Sequence, residues 1–169
     1  MKLAQPKRSL IVTALLLMLM GYSLPWLTSP GTGLTFGAYD LAEWTSLHPN
    51  VQSEQPTLLT TGLLRSPLVW SAWLIAFAPF MSRLLRASAI ILIAGALLPP
   101  IEFFTTYQSN TNYQQLLLLA VITVIATIPT MHVRHAHPIW FFVIPVLSGA
   151  SAVIGYANAY KLILSLIHI

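Results

Sequence analysis

Apolar residues along this chain fall into five long runs, and polar segments, of which only the first is long, separate these runs from one another. A helix needs about 20 apolar residues to cross a hydrocarbon core of about 30 Å. The pattern therefore predicts an all-α, polytopic integral membrane protein, with five transmembrane helices in a single membrane domain over residues 1–169. The predicted spans cover residues 9–28, 67–82, 87–104, 115–131 and 138–160.

The first run follows a basic segment that contains Lys2, Lys7 and Arg8. A cleaved signal peptide is the alternative interpretation, because such peptides also begin with a basic region followed by an apolar stretch. The run is long, and no A-x-A-like cleavage site follows it. We therefore expect residues 9–28 to be retained as a membrane anchor.

Residues 30–66 form the predicted outer loop, which contains the sequence DLAEWTSLHP. Asp40 is suited to cap a helix N-terminus, with Glu43 three residues later to complete a capping box. Apolar residues then recur at about one helical turn, and Pro49 ends the pattern. These features predict a short amphipathic helix on the outer membrane surface, with Trp44 at headgroup depth.

Prolines and tryptophans suggest where the predicted membrane helices begin, bend and meet the interface. Ser66 is predicted to cap the second span and Pro67 to occupy its first helical position, where a missing N–H does no harm. Pro99 and Pro100 are predicted to bend or unwind the third span. Tryptophans favour the boundary between lipid and water, and the interface residues predicted on this basis are Trp26, Trp44, Trp70 and Trp73.

Charge supports a membrane protein and predicts its orientation. Charged residues make up 7% of the chain, against about 25% in soluble domains. Basic residues collect on the cytoplasmic side of membrane proteins. With the N-terminus in the cytoplasm and the C-terminus outside, the basic residues predicted to be cytoplasmic are Lys2, Lys7, Arg8, Arg83, Arg86 and Arg134. Basic residues interleaved with aromatic ones on a soluble face are absent from the sequence, so we expect no nucleic-acid partner.

Two features are candidates for chemistry. The cluster His132, His135 and His137 could bind haem, a metal or a pigment, although its place in a short basic cytoplasmic loop favours an interpretation without any ligand. Glu102 lies near the proline pair and could carry a proton or bind a cation. It is also about 24 Å along a helix from Arg86, close enough to the outer boundary to reach water. We predict no metal site and no bound cofactor, although a groove between helices could contact lipid or quinone.

Small residues and the C-terminal tail point to helix packing and to partner proteins. Stripes of small or hydroxyl residues lie on the fourth and fifth spans, where they favour close approach of helices over a pore; they are Thr123, Thr127, Thr130, Ser148, Ala152, Gly155 and Ala159. The apolar tail 161–169 would follow the fifth span, and either the bilayer surface or another subunit would cover it.

The leading hypothesis is a non-catalytic accessory subunit of a larger bacterial membrane complex, with respiratory or photosynthetic electron-transfer complexes considered first. Its expected location is the bacterial cytoplasmic membrane, with the lipid bilayer and other membrane subunits as partners. One alternative is a small-molecule transporter component that uses Glu102. A second is a redox or pigment protein that uses the histidine cluster. The chain has no cysteine, which excludes disulfides and thiolate-held clusters.

Overall fold

A computed structural model describes residues 7–29, 34–47, 57–99, 101–106, 109, 111–130 and 137–167. Within these ranges the protein is a helical bundle with one two-stranded hairpin, in which Leu27 pairs with Phe36. The elements in chain order are α1 (Arg8–Ser23), β1 (Leu27–Ser29), β2 (Leu34–Phe36), α2 (Ala38–Leu47), α3 (Thr57–Phe77), α4 (Arg83–Leu97), a 3₁₀ helix (Ile101–Phe104), α5 (Thr111–Thr130) and α6 (Trp140–Ile167).

Helix α3 is the centre of the bundle. It contacts α1, α2, α4, α5 and α6, and its most extensive interface is with α6. Long helices that follow one another in the chain run in opposite directions. The end of α3 meets the start of α6, where Phe77 stacks on Trp140. The start of α5 meets α2, where Tyr113 bonds to Glu43.

The prediction of five transmembrane helices is wrong. Within the described ranges, two segments are long and apolar enough to cross a membrane, Tyr113–Thr130 in α5 and Trp140–Leu164 in α6. Helices α1 and α4 have 16 and 15 residues, so they extend about 24 and 22 Å, short of a core of about 30 Å. Helix α3 has 21 residues but carries the charged Arg65 near its middle.

Prolines explain why two of the apolar runs are longer than their helices. The residue before a proline is driven out of the helical region by a steric clash. Leu24, which precedes Pro25, is extended with ψ of 152°, and Leu98, which precedes Pro99, has ψ of 147°. Helices α1 and α4 therefore end at these positions, and the α-helix of the predicted third span unwinds before the proline pair.

The predicted start of the second span is also wrong, because α3 begins at Thr57 and Pro67 lies inside it. A proline within a helix leaves the carbonyl four residues earlier without its N–H donor, which here is the carbonyl of Leu63. The Ser66 hydroxyl lies 2.7 Å from this oxygen and can donate to it. Ser66 thus supports the helix from within, where the sequence had indicated a cap.

The predicted end of the last helix is too early, since α6 continues to Ile167. Most of the supposed tail is therefore helical.

The small residues of α6 have the packing role that was expected of them. Ser148 and Ala159 are buried, and a Cβ on Gly155 would lie 2.9 Å from the backbone nitrogen of Leu64. Glycine is required at this position because the backbone of α3 occupies the space of a side chain.

On α5, the threonines bond to their own helix. Thr123 and Thr127 are buried, and their hydroxyls donate to the carbonyls of Leu119 and Thr123 at 2.7 and 2.9 Å. Thr130 donates to the carbonyl of Thr127 at 2.6 Å. Satisfied hydroxyls of this kind let helices pack closely and do not line a polar path.

Candidate functional site

The strongest concentration of polar chemistry among the described residues joins α2, α3 and α5. The Nη2 atom of Arg65 pairs with the Oε1 atom of Glu43. The Tyr113 hydroxyl donates to the other carboxylate oxygen of Glu43 at 3.0 Å. The Arg65 guanidinium also lies over the ring of Tyr39, 4.7 Å from its centroid. We call Tyr39, Glu43, Arg65 and Tyr113 the Arg65 cluster.

Arg65 is fully buried, with 0% of its side chain exposed, whereas 16% of the Glu43 side chain is exposed. Moving a guanidinium out of water is unfavourable by several kcal/mol unless a counter-charge and hydrogen bonds replace the lost water. Glu43 and Tyr39 supply part of that replacement. Within the described ranges, the Nε and Nη1 atoms of Arg65 have no hydrogen-bond partner.

The start of α2 explains why Glu43 is available to Arg65. The helix begins at Ala38, and the carbonyl of Gly37 accepts the first helical bond from Leu41 at 3.0 Å. Gly37 is therefore the N-cap, and the Asp40 carboxylate accepts from its backbone N–H at 2.9 Å. The predicted capping box is thus shifted by three residues. Asp40 takes the role predicted for Glu43, which faces α3 instead.

The position of α2 differs from the prediction as well. Leu41 and Ala42 are 1% and 0% exposed and pack with Leu64 of α3. Next to them, the hydroxyl oxygens of Thr45 and Thr61 lie 3.2 Å apart in a buried contact. One face of α2 is consequently part of the protein core. A helix that only rested on the lipid surface would not bury its apolar face against another helix.

Tyr22, near the end of α1, adds a further buried hydroxyl in the electrostatic field of Arg65. Burial raises the pKa of this phenol to about 12, while the nearby Arg65 charge lowers it by a smaller amount. The hydroxyl has no hydrogen-bond partner among the described residues. Tyr22 is therefore neutral at physiological pH and retains an unused donor.

The predicted histidine cluster lies mostly outside the described residues, which include neither His132 nor His135. His137 is described and exposed. Its Nδ1 atom accepts the backbone N–H of Ile139 at 3.4 Å, in the turn that precedes α6. Within the described ranges there is no group of three or more His, Asp or Glu side chains that could bind a metal. Binding of haem, a metal or a pigment at this cluster stays an untested alternative.

Glu102 falls in the 3₁₀ helix Ile101–Phe104, and its side chain is outside the described part of the structure. The backbone before it is no longer α-helical, because α4 ends at Leu97. Glu102 therefore does not continue the α4 helix, as the span 87–104 had required. A role in proton or cation transfer stays a prediction.

The four predicted interface tryptophans are all half-buried. The Trp26 indole N–H donates to the carbonyl of Gly21 at 2.7 Å, and that of Trp70 lies 3.3 Å from the Ser151 hydroxyl on α6. Trp73 packs against Phe77, with ring centroids 5.8 Å apart. Trp26, Trp70 and Trp73 thus have contacts inside the protein. The location of all four tryptophans at headgroup depth stays a prediction.

The sequence interpretation missed Arg65 and Tyr113 because it assigned them to loops. One signal was present: Arg65 is the sole charged residue between 57 and 82, a stretch in which most residues are apolar. An isolated charge in an apolar run indicates a buried, paired group. Its partner could not be identified from local spacing, since Glu43 lies 22 residues away.

The Arg65 cluster has the chemistry of a buried connection between helices. Its carboxylate is engaged by Arg65 and Tyr113 and has no adjacent nucleophile or histidine base among the described residues. Comparison with known proteins adds no assignment: no family model, no curated protein and no solved structure matches this chain.

Proposed function

We propose that this protein is embedded in a bacterial cytoplasmic membrane, with α5 and α6 crossing the bilayer, and serves there as a non-catalytic accessory subunit of a larger complex. The observation that supports a membrane location is an inverted distribution of polarity. Buried polar side chains lie between the helices, among them Arg65, Ser71, Thr123, Thr127 and Ser148. Large apolar side chains lie on the outside, among them Leu92, Ile125, Phe142, Val146 and Val153, which are 57–75% exposed.

Water would not favour such a surface. A soluble monomer seldom exposes continuous apolar patches above a few hundred Å², whereas the apolar faces here extend along α4, α5 and α6. Lipid covers surfaces of this kind without any change in the fold. Helices α5 and α6 have the length to span the core, and α3 lies between them and contacts both.

The accessory role is supported by how the polar groups are used. Arg65, Thr123 and Ser151 bond to neighbouring helices or to their own backbone, which is the expected use in a protein whose role is to hold helices in place. Respiratory and photosynthetic electron-transfer complexes remain the first class in which to look for partners.

Two measurements on native membranes test this proposal. Alkaline carbonate should leave the protein in the membrane pellet, and release into the supernatant would contradict a membrane-embedded bundle. After solubilisation in a mild detergent, the affinity-tagged protein should elute at a mass well above its own 18.6 kDa plus detergent, together with defined partner proteins. A lone monomer from native membranes would contradict the accessory role while leaving the membrane location intact.

A further inference from the structure

An apolar groove opens between the start of α1, the end of α3 and the start of α4. Its volume is about 280 Å³. The floor consists of the buried residues Ile11, Leu74 and Ala78. Val12 and Leu85 lie at the open side, where they are 36% and 55% exposed.

The mouth of this groove is basic. Arg8 is one of the lining residues, and its guanidinium lies 5.1 Å from the centroid of the Phe80 ring, which also lines the groove. Exposed Lys7 precedes Arg8, and exposed Arg83 begins α4 at the same end of the bundle. The acidic residues whose side chains the structure describes, Asp40 and Glu43, lie on α2 at the opposite end.

Arg8 is held in a way that leaves its hydrogen-bond donors available. A cation above an aromatic face is attracted by the ring, and this contact does not use the N–H groups at the edge of the guanidinium. Within the described ranges, Arg8 forms no ion pair and no hydrogen bond through its side chain. A guanidinium binds phosphate oxygens through two parallel N–H bonds.

We propose that this groove binds one anionic phospholipid, with part of an acyl chain in the groove and the headgroup phosphate at Arg8. The inference rests on the proposed membrane location. The volume is near the lower end of small-molecule sites, about 300–1,000 Å³, so the groove fits a segment of one chain and leaves the rest of the lipid in the bilayer. A second copy of the protein is a poorer occupant, because a symmetric contact at this end would bring Lys7, Arg8 and Arg83 of both copies together.

Native mass spectrometry of the full-length protein in neutral detergent tests the proposal. The probes are phosphatidylglycerol and phosphatidylcholine with identical acyl chains, added at equal concentration. The wild-type protein should retain one phosphatidylglycerol in preference to phosphatidylcholine. Arg8→Gln should weaken phosphatidylglycerol binding about tenfold, the size expected for a charge-assisted hydrogen bond. Val12→Phe should weaken both lipids by filling the groove.

Matched controls separate this site from general lipid contact. Lys161→Gln removes an exposed positive charge at the opposite end of the bundle, and Val146→Phe enlarges an exposed valine on α6. Both variants should bind phosphatidylglycerol as the wild type does. Circular dichroism confirms that each variant is folded before binding is compared.

Three outcomes would overturn the inference. Equal retention of the two lipids would exclude charge recognition. Unchanged binding in both Arg8→Gln and Val12→Phe would place the lipid elsewhere. A lipid-free dimer that Val12→Phe disrupts would identify a second copy as the occupant. Lipid binding is measured on purified protein, so its result does not depend on the carbonate extraction. Failure of the proposed lipid site can therefore be distinguished from failure of the proposed membrane location.

Discussion

At the scale of single residues, the Arg65 cluster shows how one buried charge determines the contacts around it. Arg65 on α3 is paired by Glu43 on α2, and Tyr113 on α5 bonds to the same carboxylate. Helix α2 contributes Tyr39 and Glu43, whereas α3 and α5 contribute one side chain each, so α2 cannot move away from either helix without breaking a bond. The cluster therefore connects an outer helix, α2, to the centre of the bundle.

Removal of Glu43 should be strongly destabilising. Glu43→Ala leaves Arg65 buried without its counter-charge, a change that lowers the free energy of unfolding by about 3–5 kcal/mol in comparable buried pairs. The double variant Glu43→Leu with Arg65→Met removes both charges and should recover most of that loss. Thermal unfolding in detergent, followed by circular dichroism, compares the two variants.

Asp40→Asn is the matched control for this experiment, because Asp40 is an exposed acidic residue on the same helix. It should lower stability by about 1 kcal/mol or less, since an amide oxygen can still accept the Gly37 N–H. Equal melting temperatures for Glu43→Ala and the double variant would show that the Arg65 charge is not the cause of the loss.

At the scale of secondary-structure elements, the sequence predicts where helices exist better than where they end. The amphipathic pattern before Pro49 predicts α2, and the structure has a helix at Ala38–Leu47. The Ser66–Pro67 pair was misread because a local rule was applied without its tertiary context. Ser66 can both donate to the Leu63 carbonyl and contact Ser151 on α6 at 2.6 Å, which no pattern within one helix can show.

The candidate site was harder to predict than the helices. From the sequence alone, Asp40 and Glu43 have the residue types and the spacing of a capping box. The choice between Gly37 and Asp40 as N-cap depends on the hairpin before α2, whose register pairs Leu27 with Phe36. Because Asp40 caps the helix, the Glu43 carboxylate is available to pair with Arg65, 22 positions further along the chain. Predicting that contact would require the fold itself.

The outward face of α5 provides a test of membrane exposure. Ile122 lies near the middle of the segment Tyr113–Thr130 and is 50% exposed. If lipid covers this face, Ile122→Lys should disfavour insertion by about 2.5–3.5 kcal/mol and reduce the carbonate-resistant fraction of the protein. On a water-exposed face the same substitution would change the free energy of unfolding by about 0.5 kcal/mol or less.

Gln115→Lys serves as the control for this prediction, because it adds the same charge at an exposed position near the start of α5. A lysine close to a helix end can reach the interface along its own aliphatic chain. Its carbonate-resistant fraction should therefore equal that of the wild type. Equal behaviour of the two lysine variants would argue against lipid on this face.

At the scale of the whole molecule, the two ends of the bundle differ in charge. One end has Lys7, Arg8 and Arg83 exposed and Arg86 buried, with the Arg86 Nη1 atom donating to the carbonyl of Ala76 at 2.8 Å. The other end has the acidic side chains of α2 and one exposed basic residue, Lys161. Because basic residues are retained on the cytoplasmic side, we predict that the first end faces the cytoplasm.

This orientation can be measured directly, because the chain contains no cysteine and single cysteines can be introduced without background labelling. His137 and Lys161 are both exposed and lie near opposite ends of α6. In intact cells with a permeable outer layer, a membrane-impermeant maleimide should label Lys161→Cys. It should label His137→Cys only after the inner membrane is opened. The reverse pattern would show that the basic end faces outward, and equal labelling of both variants in intact cells would show that α6 does not cross the membrane.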